Sequence, residues 1–310
     1  MNRGAFRLMT LFFAGALAAL AQLVTIEPLG LPLSRTNRIE LSGYIEKEKW
    51  LEAEAALFRH VQDVTDSAAL HKALAVAHFR NGRYLLAASA YGRAARIEPL
   101  DPGSRFTLAV AYVAMDRRHW ARREFEALAE EFPRNPLYPY WIAGIYQQYQ
   151  WFQEAIRESR RAIALQPAYF MAYDRLGQCL EALGKTDEAL AAYNKADELA
   201  RAAKDSSPWP IYHHGSLLRQ NGRFLDALAA LERAAELDPK HAETQHELAL
   251  TLDALDRGPA AVAAMESATQ LQPENPKFHY ALSRLRRRMG DAKGAVAALE
   301  QFKRLSNGHP

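Results

Sequence analysis

Small apolar residues recur along this chain at a constant interval. An alanine stands every 34 residues at five successive positions, and the series continues with three more after one step of 38. Its members are Ala53, Ala87, Ala121, Ala155, Ala189, Ala227, Ala261 and Ala295. Twelve residues before the alanine, seven units have another small residue: Ala75, Ala109, Ala143, Gly177, Gly215, Ala249 and Ser283. The first unit has Leu41 there. A period of this length indicates a repeated supersecondary structure.

The other positions predict two helices in each repeat. We number every repeat so that the recurring alanine is position 20. Large apolar residues then fall at positions 4, 7, 11 and 24, and no segment alternates β-branched with polar residues as strands do. A glycine at position 15 ends the first helix in four repeats, and a proline at position 32 ends the second in five. These residues are Gly82, Gly184, Gly222 and Gly290, and Pro99, Pro133, Pro167, Pro239 and Pro273.

The fifth repeat carries the fullest pattern, with Tyr173, Leu176, Gly177, Gly184, Ala189, Tyr193 and Ala196. This pattern resembles the tetratricopeptide repeat family, whose helix–turn–helix units stack on one another. The resemblance covers about residues 34–309. It implies an all-α fold, a right-handed α-solenoid of about eight stacked hairpins, with repeats 1–5 in residues 34–203 and repeats 6–8 in residues 208–309.

Three departures from the pattern carry further predictions. The first repeat has Leu41 at the small position 8 and His60 at position 27, which favours an N-terminal cap. In the third, Trp120 lies two places later than the usual aromatic residue, which predicts a reshaped turn. The insertion at residues 204–207 is expected to lengthen the second helix of repeat 5 and then form a loop. It either bends the superhelix or separates two subarrays.

The N-terminal residues predict export. Arg3 and Arg7 precede an apolar run that ends in Ala19-Leu20-Ala21, which is typical of a secretory signal at residues 1–21. The competing interpretation is an uncleaved anchor at residues 8–26, because these 19 nearly apolar residues just reach the length needed to span a bilayer. A linker at residues 22–33 follows. Both interpretations place the repeats in the periplasm or another extracytoplasmic space, since the arginines stay inside.

Charge and cysteine content restrict the function. The chain has 39 basic and 36 acidic residues. Loss of residues 1–21 would leave 37 basic residues, a nearly neutral chain that argues against general nucleic-acid binding. The single cysteine, Cys179, allows no intramolecular disulfide, and its place in the repeat predicts a buried core residue.

The resemblance also implies a ligand groove, lined by positions 2, 5, 9, 12 and 13 of the first helices. The candidate groove residues are Phe106, Tyr140, Gln147, Gln148, Gln178, Trp209, Tyr212, Arg219, His246, Tyr280 and Arg284. Aromatic, amide and arginine side chains suit peptide recognition, and Trp209 with Tyr212 is the preferred hot spot. The alternative is that these rings pack against the neighbouring helix. The paired lysine and asparagine of one carboxylate-binding subtype are replaced by Arg38/Ser42 and Lys72/Val76, so chaperone-tail binding is not supported.

Motifs for catalysis or cofactor binding are missing from the sequence. It contains no Walker loop, GxGxxG, GxSxG, HExxH or CxxC. The histidines His213, His214, His241 and His246 form the only cluster, and a metal site there would need His213 and His246 to meet. We therefore predict no metal, no cofactor and no enzymatic activity. The run Arg284, Arg286, Arg287 and Arg288 is either a solvated cap or a contact for an anionic partner.

The leading hypothesis is an exported scaffold or adaptor that binds a protein or peptide partner in its groove. The alternative is an envelope or exopolysaccharide assembly and secretion factor, in which the same aromatic residues stack on a glycan polymer. Membrane association through the N-terminus stays open. So does self-association through the last repeat, where Phe302 and Leu305 lack a covering helix.

Overall fold

The computed structural model describes residues 25–205 and 207–307, and within these ranges the chain forms helices and turns without a β-strand. The predicted signal or anchor lies almost wholly outside the described residues, as does Ser206 of the insertion. None of the described helices is both long and apolar enough to cross a bilayer. A 3₁₀ turn, Pro28–Gly30, precedes the α-helices.

Sixteen α-helices follow one another in the described ranges, two for each predicted repeat. They are α1 Arg35–Glu46, α2 Trp50–Asp63, α3 Ala68–Arg80, α4 Tyr84–Ile97, α5 Pro102–Ala114, α6 Arg118–Glu131, α7 Leu137–Gln148, α8 Phe152–Leu165, α9 Phe170–Ala182, α10 Thr186–Ala202, α11 Trp209–Gln220, α12 Phe224–Leu237, α13 Ala242–Ala254, α14 Gly258–Leu271, α15 Pro276–Arg288 and α16 Ala292–Asn307. The predicted all-α fold of repeated helical hairpins is confirmed.

The chain divides into two compact units between Trp151 and Phe152. The first unit contains hairpins α1/α2, α3/α4 and α5/α6, followed by α7. The second begins with α8 and contains hairpins α9/α10, α11/α12, α13/α14 and α15/α16. In each unit, every hairpin packs against the next one along the chain. Helix α10 has 17 residues, whereas α12 and α14 have 14, as expected from the insertion after repeat 5.

The recurring alanines of all eight repeats lie in the core. All eight are buried, and the most exposed of them, Ala295, keeps only 3% of its surface. The small residues at position 8 are buried as well. At Gly177 the approach is so close that an added Cβ would lie 2.6 Å from the ring of Tyr193. Small side chains are therefore required for helix packing at this distance.

The turns within the repeats share one backbone conformation. Position 15 has a positive φ in all eight repeats, between +51° and +80°, although only four of these residues are glycine. The residues are Glu48, Gly82, Asp116, Gln150, Gly184, Gly222, Asp256 and Gly290. The prediction of a reshaped third turn near Trp120 is therefore wrong. Asp116 adopts the left-handed conformation that glycine provides elsewhere, and the Arg117 amide donates to the Tyr112 carbonyl at 2.8 Å, as Arg83 does to His78.

Replacing Gln150 with glycine is expected to raise the free energy of unfolding by about 0.5–1 kcal/mol, because glutamine pays a steric cost at positive φ that glycine avoids. Urea unfolding measures the change. Gly184→Ala is the matched control and should lower stability by a similar amount. Equal destabilisation by both substitutions would contradict the explanation.

Cys179 lies in the core of the hairpin α9/α10. Its side chain is fully buried, and burial raises the pKa of the thiol to about 12. The thiol is thus held in its unreactive protonated form, and the prediction of a structural core residue is confirmed.

Candidate functional site

Polar side chains on α9 and α11 form a network in the second unit. Asp174 on α9 is buried, and its carboxylate accepts a hydrogen bond from the Gln178 amide at 2.8 Å. Its other oxygen lies 2.8 Å from Nδ1 of His213 on α11. Gln178 therefore serves at least partly to hold Asp174 in place.

Trp209 and Tyr212 pack against imidazole rings of the same unit. The ring of His241, just before α13, lies 4.6 Å from the Trp209 ring and 4.9 Å from the Tyr212 ring, edge to face in both cases. Both aromatic residues also contact the ring of His213. They are half-buried, so the preferred hot spot is a packed cluster that keeps some surface for a ligand. Its role in binding stays a prediction.

The histidines of this cluster have different electrostatic surroundings. Burial opposes protonation of His213, but the negative charge and hydrogen bond of Asp174 outweigh it, and the pKa of His213 is raised. Burial lowers the pKa of His241 despite the nearby carboxylate of Glu243. His246 lies elsewhere, stacked on Phe278 at 5.0 Å. No group of three metal-ligating side chains occurs among residues 25–205 and 207–307.

Arg219 and His246 are both engaged with one carboxylate on α13. Nε of Arg219 donates to Glu247 at 2.5 Å, and Nδ1 of His246 lies 3.6 Å from the other oxygen of Glu247. Burial would raise the pKa of Glu247, but its hydrogen bonds to His246 and Arg219 and the charge of the Arg219 guanidinium hold it below its ordinary value. A ligand would have to compete with Glu247 for Arg219.

The candidate residues of the first unit lie largely in its core. Tyr140 and Gln147 on α7 keep only 5% and 8% of their surface. The Phe106 ring packs 5.6 Å from Phe125 and 6.0 Å from Trp141. Gln148 has both side-chain amide atoms buried without a hydrogen bond inside the described ranges. Ligand contact by these residues stays a prediction, and the burial of Tyr140 and Gln147 argues against it.

One face of α15 is different, because its predicted residues are exposed. Tyr280 is 46% exposed, and Arg284 and Arg287 follow it at intervals of four and three, on the same side of the helix. Neither guanidinium has an ion pair or hydrogen bond within the described chain. The Tyr280 ring rests 5.2 Å from Phe302 on α16. We call Tyr280, Arg284 and Arg287 the α15 column.

The remaining arginines of this basic run are paired. Arg286 binds Glu266 at 2.7 Å, and Arg288 binds the carboxylates of Asp253 and Asp256, each at 3.1 Å. The sequence places four arginines together, but the fold leaves only two of them available. The pairing could not be read from the sequence, because Asp253 lies 35 residues from Arg288.

Comparison with known proteins identifies the repeat. Family models described as "Tetratricopeptide repeat" match residues 44–104, 172–202 and 218–285, together about half of the chain. This chain belongs to the tetratricopeptide repeat (TPR) family. A curated TPR relative, small glutamine-rich tetratricopeptide repeat-containing protein 2 of Saccharomyces cerevisiae, is 36% identical over 63 residues. That match covers 20% of this TPR chain and only 18% of the relative.

Solved TPR structures share the fold. A tetratricopeptide repeat protein from Parabacteroides merdae superposes with a TM-score of 0.64 over 81% of this chain and 97% of its own, at 16% identity. Yeast Tom70 gives a TM-score of 0.62 over 83% of this chain and 55% of its own, at 17% identity. At such low identity the similarity shows the fold alone, so the TPR chain's partner has to be inferred from its own surface.

Proposed function

We propose that this TPR chain is a non-catalytic scaffold whose α15 column binds an acidic segment of a protein partner. TPR proteins bind protein or peptide partners, and the column is the part of the predicted groove that combines an exposed aromatic ring with unpaired guanidinium groups. This combination is the observation that carries the proposal.

The chemistry of the column favours a carboxylate-bearing peptide. A guanidinium forms two parallel hydrogen bonds to a carboxylate, and Arg284 and Arg287 need not break an ion pair to do so. Tyr280 adds a rigid contact surface beside them, which suits an apolar residue next to the acidic ones. Arg219, by contrast, is held by Glu247.

The proposal includes export. The charged and apolar pattern of residues 1–21 supports a signal peptide, or an anchor at residues 8–26, so the partner would be met outside the cytoplasm. Mass spectrometry of the mature protein tests this part, because a cleaved signal leaves Gln22 as the first residue.

Substituting Tyr280→Ala together with Arg284→Gln is expected to weaken binding of acidic peptides at least tenfold, because it removes both the contact surface and a charge. A peptide array that varies Asp and Glu content, followed by titration of the best peptides, measures this. Binding should also weaken with salt, since exposed charges are screened.

Two control variants locate the site. Arg257→Gln removes another exposed arginine of the second unit and should leave binding unchanged. Trp209→Ala with Tyr212→Ala tests the cluster preferred on sequence grounds. If the double variant at Trp209 and Tyr212 loses binding while the α15 variant does not, the assignment of the binding site to the α15 column is wrong. If glycans bind and no peptide does, the alternative of a glycan-polymer assembly factor replaces the proposal.

A further inference from the structure

A second aromatic surface lies in the first unit, whereas the α15 column belongs to the second. Trp120 at the start of α6 is 54% exposed, and Trp151 in the turn after α7 is 49% exposed. Tyr149 links them, because it lines one depression together with Trp120 and stacks on Trp151 at 5.1 Å. We call Trp120, Tyr149 and Trp151 the turn-edge surface. Repeat position did not assign these residues to a ligand surface, because Tyr149 and Trp151 lie at a turn and Trp120 lies in the first turn of α6.

Two rings of this surface, Tyr149 and Trp151, are packed against neighbouring side chains. Trp151 also stacks on Tyr146, with a distance of 5.8 Å between ring centroids. Arg118 lies 5.5 Å from the Tyr149 ring, and its guanidinium binds Asp116 at 2.6 Å and the Gln148 carbonyl at 2.9 Å. A ligand would therefore meet a preformed surface and lose little conformational entropy on the protein side.

The surface borders an open depression of about 400 Å³. Its lining consists of Asp116, Arg117, Arg118, His119, Trp120 and Tyr149. Three exposed side chains at this surface carry hydrogen-bond donors that have no partner in the described chain. The indole N–H groups of Trp120 and Trp151 and the guanidinium of Arg117 make no hydrogen bond within the described residues. The site thus offers aromatic faces and free hydrogen-bond donors.

We propose that the turn-edge surface binds a proline-rich segment of a partner protein in the polyproline II conformation. That helix has no internal hydrogen bonds, so its carbonyl groups remain free to accept hydrogen bonds from indole and guanidinium donors. Proline rings dock on aromatic-lined surfaces without a deep pocket, and the low entropy of the free helix compensates for the shallow contact. Strand addition has no basis here, because the described chain contains no sheet edge.

Charge indicates which residues flank the prolines. Arg117 and His119 are exposed, whereas the nearby acidic group, Asp116, is neutralised by Arg118. The local excess is positive, so the segment that binds contains glutamate or aspartate between its prolines.

Titration of the full chain with a synthetic peptide of repeating Pro-Pro-Glu tests the inference. Tryptophan fluorescence and calorimetry measure the binding. We expect saturable binding that weakens about tenfold in Trp120→Ala. Arg117→Gln should weaken it about threefold for this peptide and leave a neutral Pro-Pro-Gln peptide unaffected. A matched control is Phe58→Ala with Arg59→Gln, which removes an exposed aromatic residue and an adjacent arginine on α2 and should change nothing.

Several outcomes would overturn the inference. These are equal binding of a Gly-Gly-Glu peptide, absence of saturable binding, and equal loss in the α2 control. Binding only to polygalacturonate oligomers, or only to anionic lipid vesicles, would assign the surface to a sugar or a membrane instead. The result is independent of the α15 column, because Tyr280→Ala leaves the turn-edge surface intact.

Discussion

Replacing Gly177 with alanine is expected to lower the free energy of unfolding by about 1–3 kcal/mol, the usual cost of overpacking a core. The new Cβ would lie 2.6 Å from two ring atoms of Tyr193, closer than carbon atoms can approach. One side of the α9/α10 interface must therefore move.

The Tyr193 ring cannot easily move aside. Its hydroxyl donates to Glu181 at 2.7 Å, and its face stacks on His213 at 5.7 Å. Repeat 2 has alanine and tyrosine at the same two positions, Ala75 and Tyr91, and both are buried there. The pair is thus compatible with the fold, and the anchoring of Tyr193 makes the alanine costly in repeat 5.

Urea unfolding of four chains separates these effects: wild type, Gly177→Ala, Tyr193→Phe and the double variant. Without its hydroxyl anchor the ring can shift, so the alanine should cost less in the phenylalanine background. Gly92→Ala is the control, because a Cβ there meets open space on the exposed side of α4 and should stabilise the helix by up to about 1 kcal/mol. Identical costs in both backgrounds would contradict the anchoring argument.

Replacing Asp174 with asparagine is expected to remove about 1.5 kcal/mol of stability at pH 5.5 and progressively less as the pH rises. Asp174 raises the pKa of His213 above its unfolded value, against the effect of burial. A group with a raised folded pKa stabilises the fold fully below its unfolded pKa, near 6.5, and this contribution is lost as the pH rises through the folded pKa. The substitution therefore has its largest effect in acid.

The difference between wild type and variant isolates this pair. Burial lowers the pKa of His214 and His241, so both destabilise the fold in acid in either chain. The charge of His213 also lowers the pKa of His241, and a His213→Gln background removes that coupling. Unfolding measured between pH 5 and pH 8 gives the profile. In a His213→Gln background, Asp174→Asn should lose its pH dependence. A stability difference that grows with pH would refute the assignment.

The sequence predicted the hairpins well because packing alone determines them. The spacing of Ala53 and its counterparts marks where two helices touch, and the structure buries every one of these residues. The error at Trp120 arose from inferring the shape of the turn from the position of an aromatic residue, which does not determine the backbone conformation. Asp116 and Gln150 reach the same conformation at a modest steric cost, which a composition-based rule cannot detect.

The candidate site was less predictable. Repeat position indicates which side of a helix a residue occupies, but not what it meets there. Tyr212 and Arg219 lie on the first helices as predicted, yet one packs on His241 and the other binds Glu247. Such partners lie about 30 residues away and depend on how hairpins stack. Tyr280 and Arg284 remained exposed on α15, the first helix of the last repeat, so repeat position and surface exposure agree there.

The single thiol makes this protein a reporter of its own local unfolding. Cys179 is the single site at which a maleimide could label the chain, and the folded core shields its protonated sulfur from any reagent. Covalent labelling must therefore wait until repeat 5 opens locally, and its rate measures how often that happens. Dynamics in the middle of the array can thus be followed without introducing a single probe residue.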